Sequence, residues 1–241
     1  KEVEECLSKC EIDIAVHSLK DMETYEREDL KVGAYLKRND ARDVLILKNS
    51  KVMEKENISI GSSSKRRELQ IKLINKKFII KNIRGNIDTR VNKVNSGEYD
   101  GIILAAAGVN FLRYNNKVSE HYPIEEMIPS AGQGTIAVQC RKDDKNIINI
   151  LEKINNDESK ICALAEKSLL KTIGGDCHTA VGAYACIRGN KIKLIARLFS
   201  DDGTKSFFVQ KDGDKKFPEE IGKIVGLELL DKSKNNYNKK R

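Results

Sequence analysis

A chain of 241 residues with 39% hydrophobic and 33% charged side chains has enough apolar material for two or three compact lobes, which excludes a globally disordered protein. Its net charge of +8 suits an acidic partner, be it nucleic acid, a membrane surface or a small polyanion. Few aromatics and no tryptophan speak against a base-stacking platform for single strands, and the absence of any apolar run near 18 residues speaks against a membrane span.

Lys1 rather than methionine opens the chain, directly in a helical pattern, so the amino-terminal part of a larger protein is expected to be missing. Val3, Leu7 and Cys10 at helical spacing predict a helix over residues 2–10. Short apolar, β-branched runs predict strands at 12–16, 32–36 and 44–47. From residue 58 to 111 strand and helix alternate: strands at 58–60, 78–80 and 101–105, helices at 65–75, 87–96 and 106–111, with Gly97 as a stop signal. That alternation predicts a mostly parallel sheet. A strand follows at 135–138 and a helix at 158–170. Beyond Gly175 the pattern changes to strands at 183–187 and 191–198 around an Arg188-Gly189-Asn190 turn, a strand at 207–209, and a helix from Pro218 to about Leu230. This reads as a small antiparallel α+β unit, and the last ten residues, all polar, are expected to lack regular structure.

In open α/β sheets ligands sit beyond the carboxyl ends of strands, and four polar segments occupy such places. The first is 17–21, where Asp21 at a strand end can stabilise a cation or move a proton and Lys20 can hold an anion; a plain surface turn explains the same residues. The second, Gly61 to Arg67, places Ser62, Ser63 and Ser64 before a helix whose free N–H groups and dipole favour anions. Arg66 and Arg67 add guanidinium forks suited to carboxylates, while a helix cap followed by a solvated basic turn fits equally. The third, 82–90, carries Arg84 at a strand end and Arg90 in the next helix, and Asp88 can pair with either. The fourth, 129–134, has glycines suited to close backbone approach or to a hinge, and holds Gln133. The six cysteines, Cys6, Cys10, Cys140, Cys162, Cys177 and Cys186, form no paired CxxC set, so no metal site is expected. Cys177 alone lies in a loop, where a thiol near basic groups can act as a nucleophile. Cys140, Cys162 and Cys186 fall inside predicted elements and read as packing residues.

Taken together and in order, "AVHSLKDM", "IGSSSKRR", "NIRGNIDTR", "LAAAGVNFL", "IPSAGQGTIAVQCR" and "GGDCHTAVGAYA" resemble the segments of the porphobilinogen deaminase (hydroxymethylbilane synthase) family. The resemblance implies an α/β protein: two periplasmic-binding-protein-like lobes with a central cleft, residues 1–38 with 134–153 and residues 39–133, plus a small α+β carboxy-terminal domain, 154–241. It implies a transferase that polymerises four porphobilinogen into linear hydroxymethylbilane with loss of ammonia, in porphyrin and haem biosynthesis. Carried over by position, Asp21 is the catalytic carboxylate, Cys177 holds a dipyrromethane cofactor covalently, and Ser18, Lys20, Ser64, Arg66, Arg67, Arg84, Arg90 and Gln133 bind the acetate and propionate groups, with Ser62 and Ser63 as weaker candidates. The expected partner is a small molecule, not nucleic acid or a membrane, and a cytoplasmic monomer is expected. The alternative is a non-catalytic anion-binding module of the periplasmic-receptor type, which needs neither Asp21 nor Cys177. Against the family pattern, the amino-terminal strand and active-site loop are absent, Lys65 stands for a leucine, Ala180 for a proline and Asp176 for a glycine. A carboxylate at 176 beside the thiol is expected to raise its pKa and slow cofactor loading.

Overall fold

The computed structural model describes residues 2–175, 179–234 and 236–237; Asp176, Cys177 and His178 and the end of the polar tail lie outside the described residues. In chain order the elements are α1 (Glu2–Ser8), β1 (Ala15–Ser18), a 3-10 turn (Leu19–Asp21), β2 (Leu30–Tyr35), β3 (Asp43–Leu47), β4 (Ile58–Gly61), α2 (Lys65–Ile74), β5 (Phe78–Lys81), α3 (Ile87–Asn95), β6 (Gly101–Ala105), α4 (Ala106–Phe111), β7 (Glu120–His121), β8 (Ile136–Arg141), α5 (Lys145–Glu152), α6 (Asp157–Ile173), β9 (Val181–Arg188), β10 (Lys191–Phe199), β11 (Ser206–Asp214) and α7 (Pro218–Lys232). The expected α/β class holds, with three sheets ordered β1-β8-β2, β5-β4-β6-β3-β7 and β11-β10-β9.

The five-stranded sheet is mixed rather than mostly parallel. β4 pairs parallel with β5 and β6, but β3 runs antiparallel to both β6 and β7. The residues of β3 are almost uniformly buried, and a short continuous apolar run does not encode the direction of its neighbours. The strand–helix alternation from β4 to α4 nevertheless puts the carboxyl ends of β4 and β5 on one edge of the sheet. Beyond that edge lie the serine–arginine loop and Arg90.

β1 starts at Ala15, three residues later than its apolar pattern begins. The Arg141 guanidinium donates to the carbonyls of Leu7 (3.2 Å) and Ile12 (2.6 Å), so the preceding backbone turns, and pairing begins at Ala15 opposite Gln139. The pattern did not reveal α5. Its signals are present: Asp144 caps it by accepting from the Ile147 N–H, and Ile147, Ile148 and Leu151 line the face packed on β2 and β8. Within the polar tail, Tyr237 packs on the carboxy-terminal core and the Asn236 carbonyl accepts from the Asp201 N–H, contacts its composition does not suggest.

Two strands of backbone carry the chain between the three-stranded β1-β8-β2 sheet and the five-stranded sheet. They hydrogen-bond to each other, Leu36 N–H to Ile136 O and Asn39 N–H to Gly134 O. Gly132 and Gly134 both adopt left-handed φ, +75° and +85°, and a Cβ at either would fall 2.7 Å from Leu19 or from the Asn39 carbonyl, so only glycine fits. Glu166 of α6, fully buried, ties this crossing to the third sheet. Its carboxylate accepts from both ends of the Arg38 fork (2.6 and 3.3 Å), from Gly132 N–H (2.6 Å) and from Ala185 N–H (2.7 Å). Every lone pair that matters is satisfied, as a buried charge requires.

Candidate functional site

A cleft of about 450 Å3 opens where the 3-10 turn after β1 faces the amino terminus of α2. It is lined by Lys20, Asp21, Ser63, Ser64, Lys65, Arg66, Arg67, Arg90, Ser130, Gln133 and Thr179. Six of the residues singled out from the sequence for their chemistry, Asp21, Lys20, Ser64, Arg66, Arg67 and Arg90, therefore meet in one place, with Gln133 on its wall. A larger cleft of about 570 Å3, between β2 and α6, holds none of them, and its lysines are accompanied by glutamates.

The cleft is built on one buried ion cluster. Asp43, at the start of β3 and wholly buried, accepts from Arg66 Nη1 (2.7 Å) and from Arg67 Nε (3.0 Å) and Nη2 (2.8 Å). The same guanidiniums donate to the carbonyls of Ile128 and Ile103 and to Ser130 Oγ. Burial pushes the Asp43 carboxyl up, but the two arginines outweigh it and hold it well below the usual carboxylate range. Residue-by-residue reading did not single out Asp43; an Asp heading an otherwise apolar strand was the available signal. Its presence changes the reading of Arg66 and Arg67. They are 3% and 7% exposed, and their donors are largely taken by protein, so they form the floor of the cleft rather than free clamps. Two guanidiniums share one carboxylate, which leaves one positive charge over.

Other candidates are likewise held by the fold. Gln133 is buried, and its amide donates to Ala41 O (2.8 Å) and Asp43 Oδ1 (2.9 Å). Ser64 caps α2, its hydroxyl accepting from Arg67 N–H, while Ser62 accepts from Ser64 N–H and Ser63 donates to the Ile83 carbonyl. The capping reading and the anion reading of this loop thus coexist: the serines fix the loop, and the positive end of the α2 dipole opens into the cleft. Ser18 and Arg84 do not line the cleft. Ser18 is exposed on β1, and Arg84, exposed beyond β5, is not among the cleft-lining residues. A strand-end position fixes which edge a residue is on, not the direction in which a long side chain leaves it.

Of the cations lining the cleft, Lys20 and Arg90 form no ion pair with a carboxylate among the described residues, whereas Lys65 pairs with Glu68 and Arg66 and Arg67 with Asp43. Arg90 is half-buried, its Nε donating to Gly85 O (2.7 Å); burial, then the nearby Arg67 charge, lowers its pKa. Burial, reinforced by Arg67, pushes the Lys20 ammonium down to about 8. A bound carboxylate favours protonated Lys20, so its pKa must rise in the complex. Anion affinity is then expected to be level below about pH 8 and to fall as pH climbs past it, with a slope of about one proton. Equilibrium binding of a pyrrole carboxylic acid across pH 7–10 measures this; Lys20→Gln should abolish the slope, and an unchanged slope in that variant rules Lys20 out as its source.

The donor set fits a ligand bearing several carboxylates: uncompensated cations, a helix amino terminus and one exposed carboxylate, Asp21, facing them. Cys177 and the neighbouring Asp176 lie outside the described residues. Among those residues no cluster of three or more His, Cys, Asp or Glu could hold a metal ion, and no helix is long and apolar enough to cross a membrane.

Comparison with known proteins adds the following. Residues 1–149 match the family model described as porphobilinogen deaminase, dipyromethane cofactor binding domain, and residues 160–231 match porphobilinogen deaminase, C-terminal domain. The chain is 37% identical over 231 residues to the porphobilinogen deaminase of Coxiella burnetii, covering 96% of this chain and 75% of that one. It is 38% identical over 232 residues to that of Desulforamulus reducens, covering 95% and 75%. A porphobilinogen deaminase of Chlorobium phaeovibrioides is 41% identical over 207 residues, 85% of this chain and 66% of the other. Among solved structures, the VFT2 domain of Bordetella pertussis BvgS aligns at 13% identity with a TM-score of 0.41, over 66% of this chain and 69% of that one, a likeness too slight to build on.

Proposed function

Because the chain belongs to the porphobilinogen deaminase family, we propose that it acts as a hydroxymethylbilane synthase through Asp21, on a dipyrromethane joined to the Cys177 sulfur by a thioether. The reaction is a transfer: four porphobilinogen units are linked head to tail, each releasing ammonia, and water then cleaves the bond between the tetrapyrrole and the dipyrromethane, supplying the hydroxyl of the linear hydroxymethylbilane that departs. The matches do not favour the alternative of a non-catalytic anion-binding module. When bound, the dipyrromethane would supply the free pyrrole carbon to which the first unit is joined, each later unit joining the free end of the growing chain.

The observation that carries this reading is that Asp21 lines a single basic cleft together with Lys20, Arg90 and the amino terminus of α2. Each porphobilinogen brings one acetate and one propionate. Lys20, Arg90 and the α2 amino terminus take these groups, and the surplus charge of the Arg66–Asp43–Arg67 cluster reinforces them from below. Among the described residues Asp21 is the only acid lining the cleft. When the C–N bond of porphobilinogen breaks and ammonia departs, the pyrrole methylene is left cationic, and a carboxylate at the pyrrole nitrogens stabilises that charge. The same oxygen can take up the proton displaced when the new C–C bond forms and return one in the next cycle. Residues 1–38 with 134–153, residues 39–133 and residues 154–241 are proposed as the three domains. A small-molecule partner is proposed with them, supported by arginines gathered in a cleft rather than along one helix face, as are a monomeric state and a cytoplasmic location.

Intact mass and Ehrlich's reagent test the attachment. Purified chain incubated with porphobilinogen should gain one dipyrromethane and colour with the reagent, and Cys177→Ala should do neither. A bare-chain mass for the unsubstituted protein after incubation defeats the Cys177 assignment.

A further inference from the structure

We infer that Thr24 is a positioning residue: it fixes Gly175, at the end of α6, to the segment that carries Asp21. This rests on the reading that Cys177, two residues beyond Gly175 in sequence, bears the dipyrromethane. The Thr24 hydroxyl, in a residue only 8% exposed, donates to the Gly175 carbonyl at 3.1 Å across 151 residues of sequence. Gly175 is buried and itself fixed, because α6 ends there: Gly174 turns left-handed (φ +66°) and the Gly175 N–H donates back to Leu170 O at 2.9 Å. The Gly175 carbonyl thus emerges from a rigid helix end, and Thr24 holds it.

Two further contacts fasten the same segment to the same helix. Glu26 accepts from Lys167 Nζ at 2.9 Å, and Leu19 packs with Ala163. From Asp21 to Thr24 is three residues, at most about 11 Å, and from Gly175 to Cys177 two residues, at most about 7 Å. The hydrogen bond joins these two short spans, so the segment that carries Asp21 is tied directly to Gly175, the last described residue before Cys177. A buried threonine that merely satisfies its own hydroxyl would contribute to stability alone.

The test compares Thr24→Val, which keeps the shape and removes the donor, with Thr24→Ser, which keeps the donor. Two readouts are taken on each: the rate at which porphobilinogen loads the chain, by intact mass, and the iodoacetamide labelling of Cys177 in unloaded protein, by peptide mass, relative to exposed Cys10. Thr24→Val should load about tenfold more slowly, the order expected for one lost buried hydrogen bond. Its Cys177 labelling should rise several-fold against Cys10, and Thr24→Ser should restore both. If the unsubstituted chain loads and Thr24→Val matches it in both readouts, the inference is wrong while the Cys177 assignment stands. If the unsubstituted chain never loads, that assignment fails and the inference falls with it. Should Thr24→Val not fold, Glu26→Gln, which loosens the more exposed link, is expected to slow loading a few-fold; loading at the unsubstituted rate overturns the inference.

Discussion

Asp21→Asn is expected to leave binding of porphobilinogen within about threefold and to lower turnover roughly a hundredfold or more. The substitution is nearly isosteric and removes only the charge. The acetate and propionate groups still meet Lys20, Arg90 and the α2 amino terminus, so ground-state binding changes little. What is lost is an anion positioned where positive charge develops on the pyrrole as ammonia leaves, an interaction stronger in the transition state than before it. Steady-state kinetics decide the matter. A variant with turnover within tenfold of the parent removes Asp21 from the chemistry, and one with an unchanged turnover but a raised KM makes it a binding group only.

The second large effect concerns stability. Replacing Asp43 by asparagine leaves Arg66 and Arg67 facing each other, buried, with no counter-charge. Breaking a buried pair from one side costs about 3–5 kcal/mol, which for a chain of this size lowers the melting temperature by roughly 10 °C or more. Because the Asp43 carboxyl is held below its ordinary range, the folded protein keeps it ionised where the unfolded chain would protonate it. Its contribution is therefore complete at neutral pH and declines only as pH falls below about 4. Thermal melts at pH 7 and at pH 3 check both statements: the gap between parent and variant should be wide at pH 7 and narrower in acid. Removing one arginine as well, in Asp43→Asn with Arg67→Met, should recover part of the loss. Equal melting temperatures for parent and Asp43→Asn at pH 7 would mean that the cluster contributes nothing net.

Most elements were legible because their apolar periodicity is clean: β6 and α4 fall on their predicted residues, and the antiparallel unit after Gly175 follows from a turn between two apolar runs. Strand direction was not legible, since β3 is buried on both faces and carries no record of its partners. Nor was the start of β1, which a long-range hydrogen bond from Arg141 sets. At the site, the residue types and the sheet edge could be read from the chain, and so Lys20, Asp21, Arg66, Arg67 and Arg90 converge as expected. Their division of labour could not. Arg66, Arg67 and Gln133 look like ligand clamps until Asp43 appears beneath them, because a pattern of donors does not disclose which already have acceptors. For Arg84 the sequence places the backbone at that edge, but the direction in which its side chain leaves the strand end is not encoded there, and it is not among the cleft-lining residues.

The pairing of β8 with β1 and β2 has a consequence for the order in which the molecule assembles. Gln139 meets Ala15, whereas Ile58 meets Phe78 and Leu47 meets Gly101. Closing the widest of these circuits fixes the ends of the longest stretch of chain, and that entropy must be surrendered before the contact gives anything back. Four strands of the five-stranded sheet can form from near neighbours as soon as residue 105 is available, and β7 completes it at residue 121. The three-stranded sheet must wait until the chain has returned past residue 136. The arginine floor is thus in place early, and the carboxylate arrives opposite it only at the end of folding.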